Sequence, residues 1–271
     1  MVSFPFCKIN LGLQIVEKRT DGYHNLKTCF YPIPWTDVLE IIPSREFSFH
    51  TTGIEVSGNA EDNLCVKAYQ LLKSEFKLPP VQIHLHKIIP MGAGLGGGSS
   101  DAAFALRLLN EVFQLQLTSD SLIKYASVIG SDCSFFINDH PKFGEGRGEI
   151  LSDISVSLKG KYIVMVTPPI HISTAAAFAG IVPTLPTYDL KNVLETVPMN
   201  QWKNILHNDF EKSVFKQYPA IEDRKEKMYS LGAEYSSMSG SGSTLFGLFS
   251  QPVDFRTNFP DSICFSAHVE R

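Results

Sequence analysis

The sequence predicts an α+β protein built as two domains, and three observations carry that reading. Stretches of alternating apolar and polar residues fill the first sixty positions and return toward the C-terminus. Stretches of helical periodicity lie between them, with no internal repeat or low-complexity tract. A change of character over Asp153–Lys159 parts two regions that each hold both kinds of element. We place the boundary near residue 157, giving domains 1–157 and 158–271. A chain of 271 residues with 44% hydrophobic residues suffices for two modest domains, and one of this size buries roughly 75% of its unfolded surface.

Lys8–Ile15 alternates, with Ile9, Leu11, Leu13 and Ile15 on one face and Lys8, Asn10 and Gln14 on the other. It reads as a strand whose polar row, taken alone, is a solvated face. Asp21-Gly22 is a turn signal. Tyr23 and His24 follow it, either as edge-strand residues or as a stacking platform for a ring, and Leu26–Tyr31 begins the next strand. Val38–Ile42 and Phe47–Val56 extend the same sheet. A helix opens at Glu61-Asp62-Asn63-Leu64 and runs to about Phe76, capped by Asp62 or Asn63 and burying Leu64, Ala68, Leu71, Leu72 and Phe76. Val81–Lys87 alternates again. His84 and His86 share a face with Gln82 and read as surface residues rather than a metal site.

Residues 90–103 are the unusual stretch, with five glycines in the seven positions 92–98. Glycine is costly in chain entropy and useful where backbone turns through positive φ or approaches a ligand. Ser99–Asn110 then reads as a helix with Ser99 or Ser100 as its N-cap. A glycine loop emptying into a helix start aims unpaired N–H groups and a positive dipole end at one place, which is a phosphate cradle. Gly92, Gly94 and Gly97 fit the dinucleotide fingerprint. The acidic residue at the expected distance, Asp120, falls at the next helix start instead of a strand end. No Gly-Lys-Ser/Thr follows for a Walker loop.

Thr118–Ile129 reads as a helix ended by Gly130. Asp132 comes next, as a capping or turn residue on this stretch alone, and Cys133 has no histidine pattern that would make it a nucleophile. Phe143–Ile150 is a strand broken by a glycine turn. In the second region Tyr162–Val166 is a buried strand, with helical segments at Ser173–Ala179, Asn200–Leu206 and Ile221–Leu231. Ser236–Thr244 is a second small-residue loop, followed by strands Leu245–Phe249 and Ser262–Val269.

The formal charge of −4, from 24 basic and 28 acidic residues, argues against a general nucleic-acid or anionic-membrane binder. No apolar run has the length of a membrane span, and the N-terminus lacks a signal-peptide layout. Cys7, Cys29, Cys65, Cys133 and Cys264 are odd in number and widely spaced, which suits a reduced, cytoplasmic protein.

With these pieces placed, the chain resembles the GHMP small-molecule kinases. Three motifs match in order: Lys8-Ile9-Asn10-Leu11, the loop from Pro90 to Ser100, and Met238-Ser239-Gly240-Ser241-Gly242-Ser243. Asp21-Gly22-Tyr23-His24, Glu61–Leu64 and Gly130–Cys133 narrow the likeness to members whose acceptor alcohol carries a cytidine diphosphate. The resemblance implies a kinase domain and a ferredoxin-like C-terminal domain with a cleft between them. It implies ATP-dependent, Mg²⁺-assisted phosphorylation of the 2-hydroxyl of a cytidyl-linked methylerythritol, in non-mevalonate isoprenoid precursor synthesis.

By the same resemblance Lys8 and Asp132 are catalytic. Asn63, Lys87, Pro90, Gly92, Gly94, Leu95, Gly96, Gly97, Gly98, Ser99 and Ser100 hold ATP. Asn10, Tyr23, His24, Phe178, Ser239, Gly240, Ser241 and Gly242 hold the alcohol, with Ser100 a Mg²⁺ ligand. Tyr23 and Phe178, one from each domain, would sandwich the cytosine. Asp101, where other members carry Asn, sets a negative charge beside the phosphates. A Lys–Asp pair about 4 Å apart attracts by about 4 kcal/mol at an effective dielectric near 20. Asp132 is therefore expected to orient the hydroxyl and take its proton late. The partner is a small molecule, with no nucleic acid or membrane, and the chain is a monomer or weak homodimer. The other readings are a GHMP kinase for mevalonate or homoserine, and a non-catalytic nucleotide- or RNA-binding module.

Overall fold

The computed structural model describes residues 1–270. The chain opens with strands β1 (Val2–Ser3), β2 (Phe6–Lys18), β3 (His24–Thr36), β4 (Val38–Pro43) and β5 (Ser48–Gly53). Helix α1 (Leu64–Phe76), strand β6 (Val81–Lys87) and helices α2 (Gly97–Val112) and α3 (Ser119–Ile129) follow. Strands β7 (Lys142–Glu145), β8 (Ile150–Asp153) and β9 (Tyr162–Thr167) lead into helices α4 (Thr174–Ala179), α5 (Leu190–Thr196), α6 (Asp209–Gln217) and α7 (Pro219–Ser230). Strands β10 (Tyr235–Met238), β11 (Leu245–Phe249) and β12 (Ile263–His268) complete the fold. Two compact units form. One comprises residues 1–7, 35–91 and 96–140, the other residues 8–34, 92–95 and, among the described residues, 141 onward.

The first unit contains the sheet β1-β4-β6-β5, in which β5 and β6 are parallel and the remaining pairs antiparallel. On β6 the core side takes Val81, Ile83, Leu85 and, in phase with them, Lys87. Asn63 caps α1 by accepting the Cys65 amide at 2.9 Å. The helix buries Cys65, Val66, Ala68, Tyr69 and Leu72, so its inner face is turned from the expected one: Leu64, Leu71 and Phe76 are only half-buried. Packing against α2 sets that rotation.

Helix α2 starts two residues before the expected Ser99. Its N-cap is Gly96, in the left-handed region at φ +69°, with no side-chain cap bond. Ser99 and Ser100 are therefore inside the first turn, where the Ser100 amide closes the first helical bond on Gly96 O at 2.9 Å. Thr118 caps α3 through the Ser121 amide, and the helix stops at Gly130 in extended conformation. Asp132 then leads a 3-10 turn, Cys133–Ile137, without capping it through its side chain.

The second unit carries most of the sheet β2-β3-β7-β8 and all of the sheet β10-β11-β9-β12. In the latter, β9 lies between β11 and β12, all pairs being antiparallel. That is the strand order of a ferredoxin-like sheet, with the second crossover helix reduced to the 3-10 turn Arg256–Asn258. Leu13 and Ile15 of β2 join Phe210, Val214, Phe215, Ile221, Met238 and Leu245 in one core. Val164, Val166, Met228 and Phe249 form another.

The polar row of β2 is buried, contrary to a solvated face: Lys8, Asn10 and Gln14 are 4%, 2% and 5% exposed. Helices α5 and α6 were not expected, residues 199–204 are a 3-10 helix, and the first third of the anticipated loop at 236–244 is strand β10.

Candidate active site

In the second unit, the three sequence motifs meet at one backbone carbonyl. Lys8 Nζ donates to Gly94 O at 2.8 Å and to Asn10 Oδ1 at 2.6 Å. Ser239 Oγ donates to the same Gly94 oxygen at 2.8 Å. The Lys8 ammonium lies 5.4 Å from the Phe30 ring centroid, a cation–π contact that favours keeping the charge. The Asn10 amide donates to Thr28 Oγ1 at 2.9 Å, and Thr28 donates to Gly12 O at 2.6 Å. This network explains the burial of Lys8 and Asn10 on β2: loops far along the chain cover them and supply their hydrogen-bond partners.

The serine-glycine loop is held from behind. Asn208 Nδ2 donates to Met238 O at 2.7 Å and Gly240 O at 2.8 Å. The two loops touch closely enough to require glycine at 94. A Cβ there would fall 1.9 Å from Ser239 O, and φ is +79°. Gly240 and Gly242 are buried and Ser241 half-buried.

The ring platform differs from the expected sandwich. His24 lies flat against Phe178, with centroids 4.8 Å apart and planes 16° off parallel. Tyr23 is 55% exposed, under the Arg147 guanidinium at 4.8 Å. Tyr23 and Phe178 also belong to the same unit. Burial, and next the charge of Lys18, lower the His24 pKa from its ordinary value.

In the first unit, a pocket of about 340 Å³ opens beside the start of α2. Asn63, Lys87 and Gly98 line it, three residues named from the sequence. Phe49, Ser57 and Asn59, from β5 and the connection after it, also line it. Sequence reasoning missed these; the polar Ser57-Gly58-Asn59 turn ahead of α1 was the available signal.

Lys87 is buried, and its ammonium sits between two carboxylates, bonding Asp37 and, at 2.8 Å, Asp101 Oδ2. The Asp101 carboxyl, expected to set a charge beside the phosphates, is thus turned to an ammonium within the protein. Burial pushes the Asp101 carboxyl up to about 7; Lys87 acts against that rise and Asp37 adds to it. For Lys87, burial lowers the pKa, and the two carboxylates outweigh it to leave a net rise.

Gly92 (φ +61°), Gly94 and Gly96 all adopt left-handed backbone before α2. The first-turn amides of Gly97, Gly98 and Ser99 have no intrahelical acceptor. Ser100 is fully buried, and its hydroxyl oxygen has no partner. A cradle of amides with an orphaned hydroxyl behind it fits an anionic, metal-bearing ligand. Among the described residues no group of three or more His, Cys, Asp or Glu is placed to hold a metal ion, so protein carboxylates do not supply a cage. Asp132 is half-buried.

The family model of the GHMP kinases N-terminal domain matches residues 63–140, and that of the GHMP kinases C-terminal domain matches residues 190–256. The chain belongs to the GHMP kinases. It is 52% identical, over the whole of both chains, to the 4-diphosphocytidyl-2-C-methyl-D-erythritol kinase of Bacteroides fragilis. It is 57% identical over 253 residues, 92% of each chain, to the kinase of that name from Bacteroides thetaiotaomicron. A crystal structure of 4-(cytidine 5'-diphospho)-2C-methyl-D-erythritol kinase superposes with a TM-score of 0.80 at 29% identity, covering 98% of each chain.

Proposed function

We propose that this chain transfers the terminal phosphoryl group of ATP to the 2-hydroxyl of 4-diphosphocytidyl-2-C-methyl-D-erythritol. The observation that carries the reading is the convergence of Lys8 and Ser239 on Gly94 O, in a chain matched over its full length by kinases of that name. The first-turn amides of α2 and the loop from Pro90 to Gly98 receive the triphosphate. The pocket bounded by Asn63 and Lys87 takes the base. Ser100 would be the protein ligand of Mg²⁺, which would supply positive charge to offset that of the phosphates.

Phosphoryl transfer passes through a loose transition state that asks little of the nucleophile. Asp132 accordingly orients the acceptor hydroxyl and receives its proton late, while Lys8 offsets charge on the reacting oxygens. Asn10, Ser239, Gly240, Ser241 and Gly242 hold the alcohol, and His24 with Phe178 and Tyr23 holds its cytosine. Positioning and preorganised N–H donors supply most of the acceleration. The five cysteines, all in the thiol form, support a cytoplasmic site of action. No helix among the described residues is long and apolar enough to cross a membrane.

Supplying ATP with the cytidyl substrate should yield its 2-phosphate, and mevalonate or homoserine should not replace it. In the same assay Asp132→Asn should lose turnover by about 10²-fold or more while ATP binding stays within twofold. Normal turnover in that variant would remove Asp132 from the chemistry.

A further inference from the structure

Asp37 belongs to none of the three motifs, yet it organises the backbone on which the glycine loop is built. It is fully buried in the one-residue link between β3 and β4. Its own amide is anchored on Pro5 O at 2.9 Å. Its Oδ1 accepts the amides of Ile88 at 2.6 Å and Ile89 at 2.8 Å, and its Oδ2 accepts Lys87 Nζ. Those are the last three residues before Pro90. Lys87 Nζ continues to Asp101 Oδ2, inside α2. Gly97, where α2 begins, packs against the same ammonium: a Cβ there would stand 2.9 Å from Lys87 Nζ and 3.1 Å from Ile89 Cγ2. One carboxylate therefore holds the segment entering the loop and, through Lys87, the helix leaving it.

We propose that Asp37 is the positioning residue of the nucleotide site, clamping the entry of the phosphate loop and its exit helix so that the first-turn amides present a fixed geometry to ATP. The proposal rests on reading that loop as the ATP site. It also gives the Lys87 side chain a different task from contacting the base, since its ammonium is committed to two carboxylates. An oxygen acceptor is what the two amides need, and the ammonium keeps Asp101 whatever stands at 37. Side-chain geometry at 37 is then decisive, more than its charge.

The test is ATP affinity, by direct titration, in wild type, Asp37→Ala and Asp37→Asn, with KM for both substrates. Asp37→Ala should weaken ATP binding and raise KM for ATP tenfold or more, leaving KM for the alcohol within twofold. Asp37→Asn retains a carbonyl oxygen for the amides and should return ATP affinity to within threefold of wild type, even where its melting temperature falls. Folded Asp37→Ala with unchanged ATP affinity, or with both KM values raised alike, overturns the proposal. Should the alanine variant not fold, a tenfold loss in folded Asp37→Asn overturns it, and retained affinity with slow Ile88 and Ile89 amide exchange upholds it. Wild-type protein that binds no ATP would sink the kinase assignment itself, which is a separate result.

Discussion

His24 and Phe178 show how a stacked ring pair is made from residues distant in sequence. The imidazole lies on the phenyl face, and the phenyl ring meets Phe210 edge-on at 4.8 Å. A lowered His24 pKa favours the neutral imidazole, which can both donate to and accept from a base edge. Stacked aromatic pairs contribute about 0.5–1.5 kcal/mol beyond area burial. Phe178→Ala should therefore raise KM for the cytidyl substrate roughly three- to tenfold and spare KM for ATP, as steady-state kinetics will show. Equal effects on both substrates would detach this pair from the ring. The sequence made Lys8 and Asn10 legible as neighbours on one strand face. It did not make their burial legible, because the cover comes from Gly94 and Ser239. Lys87 was legible in one respect: strand period puts it in phase with Val81, Ile83 and Leu85, hence in the core. Its carboxylate partners lie in other elements, and no local pattern names them.

At the scale of elements, the glycine loop was read correctly as glycine-dependent, and the structure separates the glycines by what each one faces. A methyl at Gly94 meets backbone, Ser239 O at 1.9 Å, while one at Gly92 meets the exposed ring of His171 at 2.9 Å. Both sit at positive φ, which costs a non-glycine residue about 1–2 kcal/mol. Only at 94 must a second loop also move. Gly94→Ala should lower the melting temperature by several degrees more than Gly92→Ala, at roughly 2–4 °C per kcal/mol for a chain of this size. Equal shifts in calorimetry would mean that the loops yield without cost. Helices α5 and α6 escaped the sequence reading because they are only 7 and 9 residues long. So short a span shows barely two turns of periodicity, and tertiary packing supplies their stability. The start of α2 was misplaced because serine is the better N-cap by preference. Here the left-handed turn at Gly96 overrides that preference.

At the scale of the whole molecule, a division near residue 157 follows a real change in character, yet the compact units interleave along the chain. Residues 8–34 group with the C-terminal half through contacts such as Ile15 with Asp209 and His24 with Phe178, which local pattern does not encode. Global stability carries the signature of the buried carboxylate at 101. Burial raises its folded pKa from the ordinary carboxylate value to about 7, so the native state keeps a proton that the unfolded chain has already released. Stability should fall as pH rises from about 4 to about 7 and then level off, at up to about 1.4 kcal/mol per pH unit. Urea melts between pH 5 and 8 should show this slope in wild type and a flatter profile in Asp101→Asn; identical profiles would remove Asp101 as its source.

One further consequence belongs to helix α2, whose opening turn has no side chain of its own to finish it. On the proposed function, that turn is completed by substrate, so nucleotide supply becomes part of what keeps the chain folded. At a hundred times its dissociation constant a bound nucleotide adds about 2.7 kcal/mol. A cell short of ATP would hold this enzyme in its softer form, the one most open to proteases.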